Sequence, residues 1–281
     1  MIATPPIVDR QYLDLPDGAR LFWRSWPAAR PKASVLIVHG YGEHCGRYEE
    51  LARRFVAGGY GVYAYDHRWH GRSSGEMGQV RSVDTMVDDM DVAFEAVARM
   101  TRDTPLFVFA HSMGALVTGL YAARYKPKVS GLLFSSGLLK VADDIAPLLQ
   151  RVAGLAAALL PRMPVLQIDP AQISRDPREV SVYATDPYNY HGKITARTGY
   201  AFQKGIRALG PLMSTLTSPM FISHGTGDRL ADSAGSRMLH ERAGSQDKTL
   251  RLYEGAYHEV HHDLDREQFF ADLTGWIASH S

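Results

Sequence analysis

Cysteine is nearly missing. Cys45 stands alone in 281 residues, so no intramolecular disulfide can form and stability must come from a packed core. A charge excess is missing too: 31 basic side chains face 30 acidic ones, a formal net charge of +1. That balance argues against nucleic acid as a partner, which would call for a strongly basic surface. No apolar run approaches the roughly 20 residues that span a bilayer; the longest, VAGLAAALL at 152–160, is half that. The opening MIATPPIVDRQYLDLPDG has neither a basic start nor an apolar stretch, so it does not read as a secretion signal. The expectation is a soluble, cytoplasmic protein, large enough for one sizeable core. Nothing here sets its oligomeric state.

What is present is an alternation of strands and helices. A hairpin is expected over 9–14 and 19–26, turning at Pro16-Asp17-Gly18. SVLIVHG (34–40) reads as a strand buried on both faces, followed by a helix over about 47–58 closed by Gly58-Gly59. Further strands are expected at 60–67, 105–112 and 129–136. Between them lie an amphipathic helix through Val83, Met86, Val87, Met90, Phe94 and Val97, and an apolar helix over 113–125. After an interruption come a strand at 219–225, a helix near 232–243, a strand at 248–255 and a last helix from about 266. Such alternation predicts an α/β fold, a mostly parallel doubly wound sheet with helices on both faces.

The interruption, residues 138–212, shows no clear buried strand and carries prolines at 147, 161, 164, 170, 177, 187 and 211. It is too long for a plain loop and should hold its own structure. The domain expectation is therefore a core of 1–137 and 213–281 with an insertion at 138–212. Ile145, Leu148, Leu149, Val152, Leu155, Leu159 and Leu160 suit one face of a helix. The plainer reading packs that face onto the core. The alternative is a lid whose apolar side lines a lipid-sized pocket or makes transient contact with a membrane surface.

Ala110-His111-Ser112-Met113-Gly114 sits between an apolar strand and an apolar helix. A serine on such a tight turn projects its hydroxyl outward beside the amides of the helix start, which marks Ser112 as the candidate nucleophile. The usual string begins with glycine, and Ala110 departs from it by one methyl. A tetrahedral intermediate needs two fixed N–H donors. The Met113 amide is one candidate, and the Tyr41 amide, between Gly40 and Gly42 at the end of the first parallel strand, is the other.

HGYGEHCGRY (39–48), DHRWHGRSSG (66–75), AHSMG (110–114), ISRDP (173–177), ATDP (184–187), HGTGDRL (224–230) and YHEV (257–260) together resemble the monoacylglycerol lipase family. The resemblance runs from about residue 15 to the C-terminus. It implies an α/β-hydrolase fold in which 138–212 is a helical cap, and a serine ester hydrolase that splits a lipid ester such as monoacylglycerol without cofactor or metal. Lysophospholipases and carboxylesterases share similar motifs, and a non-catalytic binding protein of the same fold is the rival of another class. Trp69 departs from the family pattern, in which small residues are commoner.

In that fold the acid and the base follow the serine in order. Asp228, just past a buried strand, is the candidate acid, and neighbouring Asp232 reads as a helix cap. His258 is the candidate base. Yet His258-Glu259-Val260-His261-His262 also spells H-E-x-x-H, a zinc-protease string. That string needs a helix to put both histidines on one face, and here the helix starts later, with Asp265-Arg266-Glu267-Gln268 reading as its capping box. The resemblance further implies that Glu43, Arg47, Tyr183 and His261 hold the glycerol group. For Glu43 and Arg47 the alternative is an ordinary i,i+4 ion pair, worth about 0.3–0.5 kcal/mol; for His261 it is a solvated loop histidine. Asp66 and His67 are expected to cap a turn, and Cys45 to be core or to lie at the pocket mouth.

Overall fold

The structure, a computed structural model, describes residues 8–101, 104–140 and 147–281, with the side chains of 8–10 and 147–152 left out. β1 (Val8–Asp14) and β2 (Arg20–Trp26) form the expected hairpin, and Gly18 takes a φ of +83° in its turn. β3 (Ala33–Val38), β4 (Tyr60–Tyr65), β5 (Leu106–His111), β6 (Gly131–Ser135), β9 (Met220–Gly225) and β10 (Lys248–Tyr253) join them in one eight-stranded sheet. Its order is β1-β2-β4-β3-β5-β6-β9-β10, antiparallel at β1/β2 and β2/β4 and parallel elsewhere.

Period-two alternation divides the central strands between two cores. Val35, Ile37, Phe107 and Phe109 face α1 (Glu49–Ala57) and α8 (Arg266–Ser279), packing with Phe55, Phe269 and Trp276. Leu36, Val38, Val108 and Ala110 face the other way, toward α2 (Val83–Met100) and α3 (Met113–Tyr125). α2 starts where the Ser82 hydroxyl accepts the Thr85 amide at 3.3 Å, and every apolar position read from its periodicity is buried. α7 (Ser233–Arg242) is capped as expected, with Asp232 accepting the Ala234 amide at 2.8 Å.

Two helix starts differ from expectation. The helix placed at 47–58 begins at Glu49, after a 3₁₀ turn over Cys45–Tyr48 that is held open by the His44 ring accepting the Gly46 amide. Asp265 makes no side-chain cap for α8, because its carboxylate is drawn to Arg175; Gln268 bonds Asp272 instead of closing a box.

The inserted segment holds α4 (Pro147–Leu159), β7 (Pro164–Leu166), α5 (Pro177–Thr185), β8 (Ile194–Thr195) and α6 (Ala196–Leu212). β7 and β8 pair as a small antiparallel ribbon, three exposed residues against two buried ones, too short to be seen as apolar runs. α6 is shared: Ala201, Phe202, Ile206 and Leu209 pack into the α2–α3 core. α4 corrects the plainer reading of its apolar face. Ile145 lies outside the described residues, as do the side chains of Leu148, Leu149 and Val152. Leu155, Leu159 and Leu160 are 60%, 70% and 59% exposed, while Ala157 is buried. The helix meets α6, with Gly154 facing Tyr200, and Leu155, Leu159 and Leu160 point away from the core. Among the described residues no helix is long and apolar enough to cross a membrane.

Candidate active site

β5 delivers the chain into the turn at Ser112, which holds φ +52° and ψ −116°, a left-handed conformation costly for any residue but glycine. Two backbone bonds fix it: the Ser112 amide donates to the Ser135 carbonyl, and the Leu138 amide donates to the Ser112 carbonyl, both at 3.0 Å. Gly114 allows the approach, since a Cβ there would lie 2.3 Å from the Val38 carbonyl oxygen. Ala110 is wholly buried in β5 and leaves the elbow intact.

The Ser112 Oγ lies 2.9 Å from His258 Nε2, and His258 Nδ1 lies 2.7 Å from Asp228 Oδ2. A carboxylate accepts, so Nδ1 carries the proton and Nε2 is free to accept from the serine hydroxyl. Asp228 stands beyond the end of β9, its Oδ1 accepting the Leu230 and Ala231 amides at 2.8 and 3.0 Å. Burial alone would raise the Asp228 pKa, but His258 and His224 beside it hold it far below the usual carboxylate value. Burial likewise opposes charge on His258, and the Asp228 carboxylate outweighs that, so the His258 pKa lies above its ordinary 6.5. The Tyr41 and Met113 amides make no hydrogen bond among the described residues, and both residues flank Ser112 at the C-terminal end of the sheet.

Behind the Tyr41 loop lies a buried charge cluster. Glu43 Oε1 accepts the Gly40 amide at 2.6 Å and the Tyr48 hydroxyl at 2.7 Å. Arg47 sits 3.3 Å from Glu43 and pairs with both oxygens of Glu259, with its guanidinium over the Tyr183 ring. This is no surface i,i+4 pair: the side chains of Glu43, Arg47 and Glu259 are 3–4% exposed.

A cavity of about 1050 Å³ opens onto these groups. Its polar end is lined by Gly40, Tyr41, Glu43, Ser112, His258 and Glu259, and its far walls by apolar residues of the core and the insertion, among them Leu138, Ile168 and Ile206. Of the residues expected to hold glycerol, Glu43 and Tyr183 line it and Arg47 and His261 do not. His261 is 1% exposed, stacked on Tyr48, and neither ring nitrogen has a hydrogen-bond partner. The 3₁₀ turn Val260–His262 winds it inward, off the cavity lining, which corrects its reading as a solvated loop residue. Trp69 also stays off the cavity, at φ +68° and packed against Gly75. Asp66 holds its turn through the Cys45 and Arg72 amides, whereas the His67 ring bonds nothing; its backbone amide donates to His39 Nε2 and its carbonyl accepts the His70 amide. Cys45 is buried away from the cavity, its thiol pKa pushed up by burial.

The H-E-x-x-H string forms no zinc site of the expected kind. His258 turns to Ser112 and His262 turns to Glu259. Glu259, His261 and His262 do bring ligand atoms within 4.8 Å of one another, but the Arg47 guanidinium already occupies both Glu259 oxygens, and a second cation there would be repelled. Sequence reading missed His224 and Glu259. A histidine inside the apolar strand PMFISHG was a usable signal, because a polar group in a buried strand must find a partner.

A strained serine elbow at the carboxyl edge of a parallel sheet, joined to a histidine and a buried aspartate, defines a serine hydrolase of the α/β-hydrolase class. The family described as "Serine aminopeptidase, S33" matches residues 29–265. Among characterised relatives, a monoacylglycerol lipase of Mycolicibacterium smegmatis is 37% identical over 94% of this chain and 94% of its own. Human monoglyceride lipase is 34% identical over 95% of this chain and 91% of its own. The crystal structure of Paleococcus ferrophilus monoacylglycerol lipase superposes with a TM-score of 0.82 at 30% identity, covering 93% of this chain and 99% of that one. The chain belongs to the monoacylglycerol lipase family of the α/β-hydrolase superfamily.

Proposed function

We propose that this enzyme hydrolyses monoacylglycerol to glycerol and a fatty acid through an acyl-enzyme on Ser112. The observation that carries the reading is the Ser112–His258–Asp228 relay at 2.9 and 2.7 Å beneath a cavity of about 1050 Å³ with largely apolar walls. His258 takes the hydroxyl proton as Ser112 attacks the ester carbonyl. The developing oxyanion is met by the Tyr41 and Met113 amides, and the same proton passes to the departing glycerol oxygen. Water, deprotonated by His258, then attacks the acyl ester, and Ser112 recovers its proton as the fatty acid leaves.

The acyl chain suits the apolar walls, and Glu43 and Tyr183 suit the glycerol hydroxyls. Arg47 serves indirectly, through the carboxylates it holds. Residues 138–212 act as the cap. Its outward face carries Leu155, Leu159, Leu160, Met163, Val165 and Leu166, 40–70% exposed, and the last three also line the cavity. That continuity supports transient contact of the cap with a lipid surface as the route by which substrate enters.

The test is hydrolysis of monooleoylglycerol, trioleoylglycerol, lysophosphatidylcholine and p-nitrophenyl butyrate side by side, with Ser112→Ala as blank. Strong preference for monooleoylglycerol is expected, and the blank should be about 10⁶-fold slower. Turnover of the butyrate ester alone would make this a general esterase, and a blank above a hundredth of wild type would remove Ser112 from its role. Sedimentation with phosphatidylcholine vesicles should weaken in a Leu159→Ser, Leu166→Ser double variant; unchanged binding would exclude the cap as the contact.

A further inference from the structure

We propose that His224 is a second-imidazole positioning residue for the reaction, holding Asp228 in the orientation that His258 requires; this rests on the role proposed above for Asp228. His224 lies on β9 and is wholly buried. Its Nε2 sits 3.0 Å from Asp228 Oδ2 and 3.0 Å from the Ala231 carbonyl oxygen. Both neighbours are acceptors, so Nε2 must carry the proton and shares it between them. Its Nδ1 is 2.7 Å from the Oγ of Ser236, a wholly buried residue of α7. With Nε2 protonated, Nδ1 accepts a hydrogen bond from the Ser236 hydroxyl, which can donate or accept and so fits the tautomer that the two acceptors at Nε2 impose.

A carboxylate has about four acceptor positions, and all four of Asp228 are filled. Oδ1 takes two backbone amides, and Oδ2 takes two imidazole N–H groups, one from His224 and one from His258. The two amides fix one oxygen to the turn after β9. Without His224 the other oxygen would be held by His258 alone, the ring that must move between accepting and returning a proton. His224 thus ties the acid to β9 and α7, so its orientation does not depend on the group it orients. It neither lines the cavity nor touches Ser112; of its two partners at Nε2, Asp228 and the Ala231 carbonyl, only Asp228 belongs to the relay.

Sharing Oδ2 also draws negative charge away from His258. The other groups facing His258 are Glu259, Glu43 and the His111 ring, 4.7 Å away centre to centre, and none of them changes when His224 is replaced. Loss of the His224 donor should therefore move the acid limb of the rate profile to higher pH while lowering kcat.

The experiment is a cycle in the full-length enzyme on monooleoylglycerol, with His224→Phe, His224→Gln and Asp228→Asn, singly and crossed. His224→Phe should lose between about tenfold and a hundredfold in kcat, the worth of one hydrogen bond to a charged group, with KM unchanged. In the Asp228→Asn background it should lose nothing further. His224→Gln, whose side-chain N–H reaches the place of Nε2–H, should recover most of the activity and the wild-type acid limb. Wild-type kcat in His224→Phe, an equal loss in both backgrounds, or a Gln variant as poor as Phe would each overturn the proposal. Should His224→Phe show no cooperative melt, Ser236→Ala takes its place in the cycle, with a several-fold loss confined to the Asp228 background as support and no loss as refutation. A wild-type enzyme without esterase activity, or an Asp228→Asn variant as fast as wild type, would instead sink the proposed function itself.

Discussion

Arg47 grips Glu259 with both arms of its guanidinium, Nη1 to Oε1 at 2.5 Å and Nη2 to Oε2 at 2.8 Å, and Glu259 is the residue after His258. The pair closes 212 residues of chain and ties the loop of the base to the segment that follows the Tyr41 loop. Because Glu43 and Glu259 are both buried, Arg47 is the guanidinium between two carboxylates. Removing it leaves both without their counter-charge. Arg47→Met should cost about 3–5 kcal/mol of stability, the range for breaking a buried pair, and Arg47→Lys should recover little, since an ammonium cannot make the bidentate contact. Urea unfolding of the three proteins checks this, and a Met variant within about 1 kcal/mol of wild type would contradict it.

The pH dependence of turnover follows from His258. It must be neutral to take the Ser112 proton, and its pKa is raised above 6.5 by Asp228 in spite of burial. Activity is therefore present above that raised value and lost as pH falls through it. The acid limb of kcat/KM should have its midpoint above 6.5. In Asp228→Asn the rate should drop by about 10⁴-fold and the remaining limb should move down. A wild-type midpoint at or below 6.5 would show that Asp228 does not charge-stabilise the base.

Much of the fold was legible because its signals are local. Apolar runs alternating with helical periodicity gave the parallel strands, and Ser112 could be placed by the strand before it and the helix after it. The relay needed only the order of three residues along a known topology. What stayed hidden depends on contacts far apart in sequence. Nothing near Asp265 announces that Arg175, 90 residues away, takes the carboxylate that should have capped α8. Glu43 and Arg47 have the spacing of a surface pair, and only the arrival of Glu259 from the far end of the chain makes them a buried cluster. The apolar face of α4 was visible as periodicity, but periodicity does not say whether core or lipid covers it.

Gly114 offers a direct test of the elbow. An added Cβ would come within 2.3 Å of the Val38 carbonyl oxygen and 2.6 Å of the His39 carbonyl oxygen. Both are backbone atoms, in and at the end of a central strand, and cannot swing aside. Gly114→Ala should therefore push α3 from β3 and misplace Ser112, with a loss on the order of 10²-fold in kcat/KM. Circular dichroism separates misplacement from unfolding. Full activity would mean that the elbow tolerates a wider gap than its packing indicates.

Acid should unfold this protein earlier than its carboxylates alone would require. His39, His67 and His70 form a buried group behind the Tyr41 loop, with His67 and His70 ring centres 4.6 and 5.4 Å from that of His39. Burial holds the pKa of each below the usual 6.5, that of His70 at about 4. His111 and His261 are buried and shifted the same way. The unfolded chain binds these protons near pH 6.5 and the folded chain does not. Their contribution to stability is thus complete above that pH and is lost as pH falls toward the folded values. His258 and Glu43 are shifted upward and act in the opposite sense. The His258 effect lies above pH 6.5, outside the window of the five histidines, so below that pH stability should fall as they are forced to charge. Urea midpoints measured at pH 7, 6 and 5 should fall steadily, and His70→Gln should make the fall shallower. A midpoint unchanged between pH 7 and 5 would mean that these histidines are already protonated, or paired, in the folded protein.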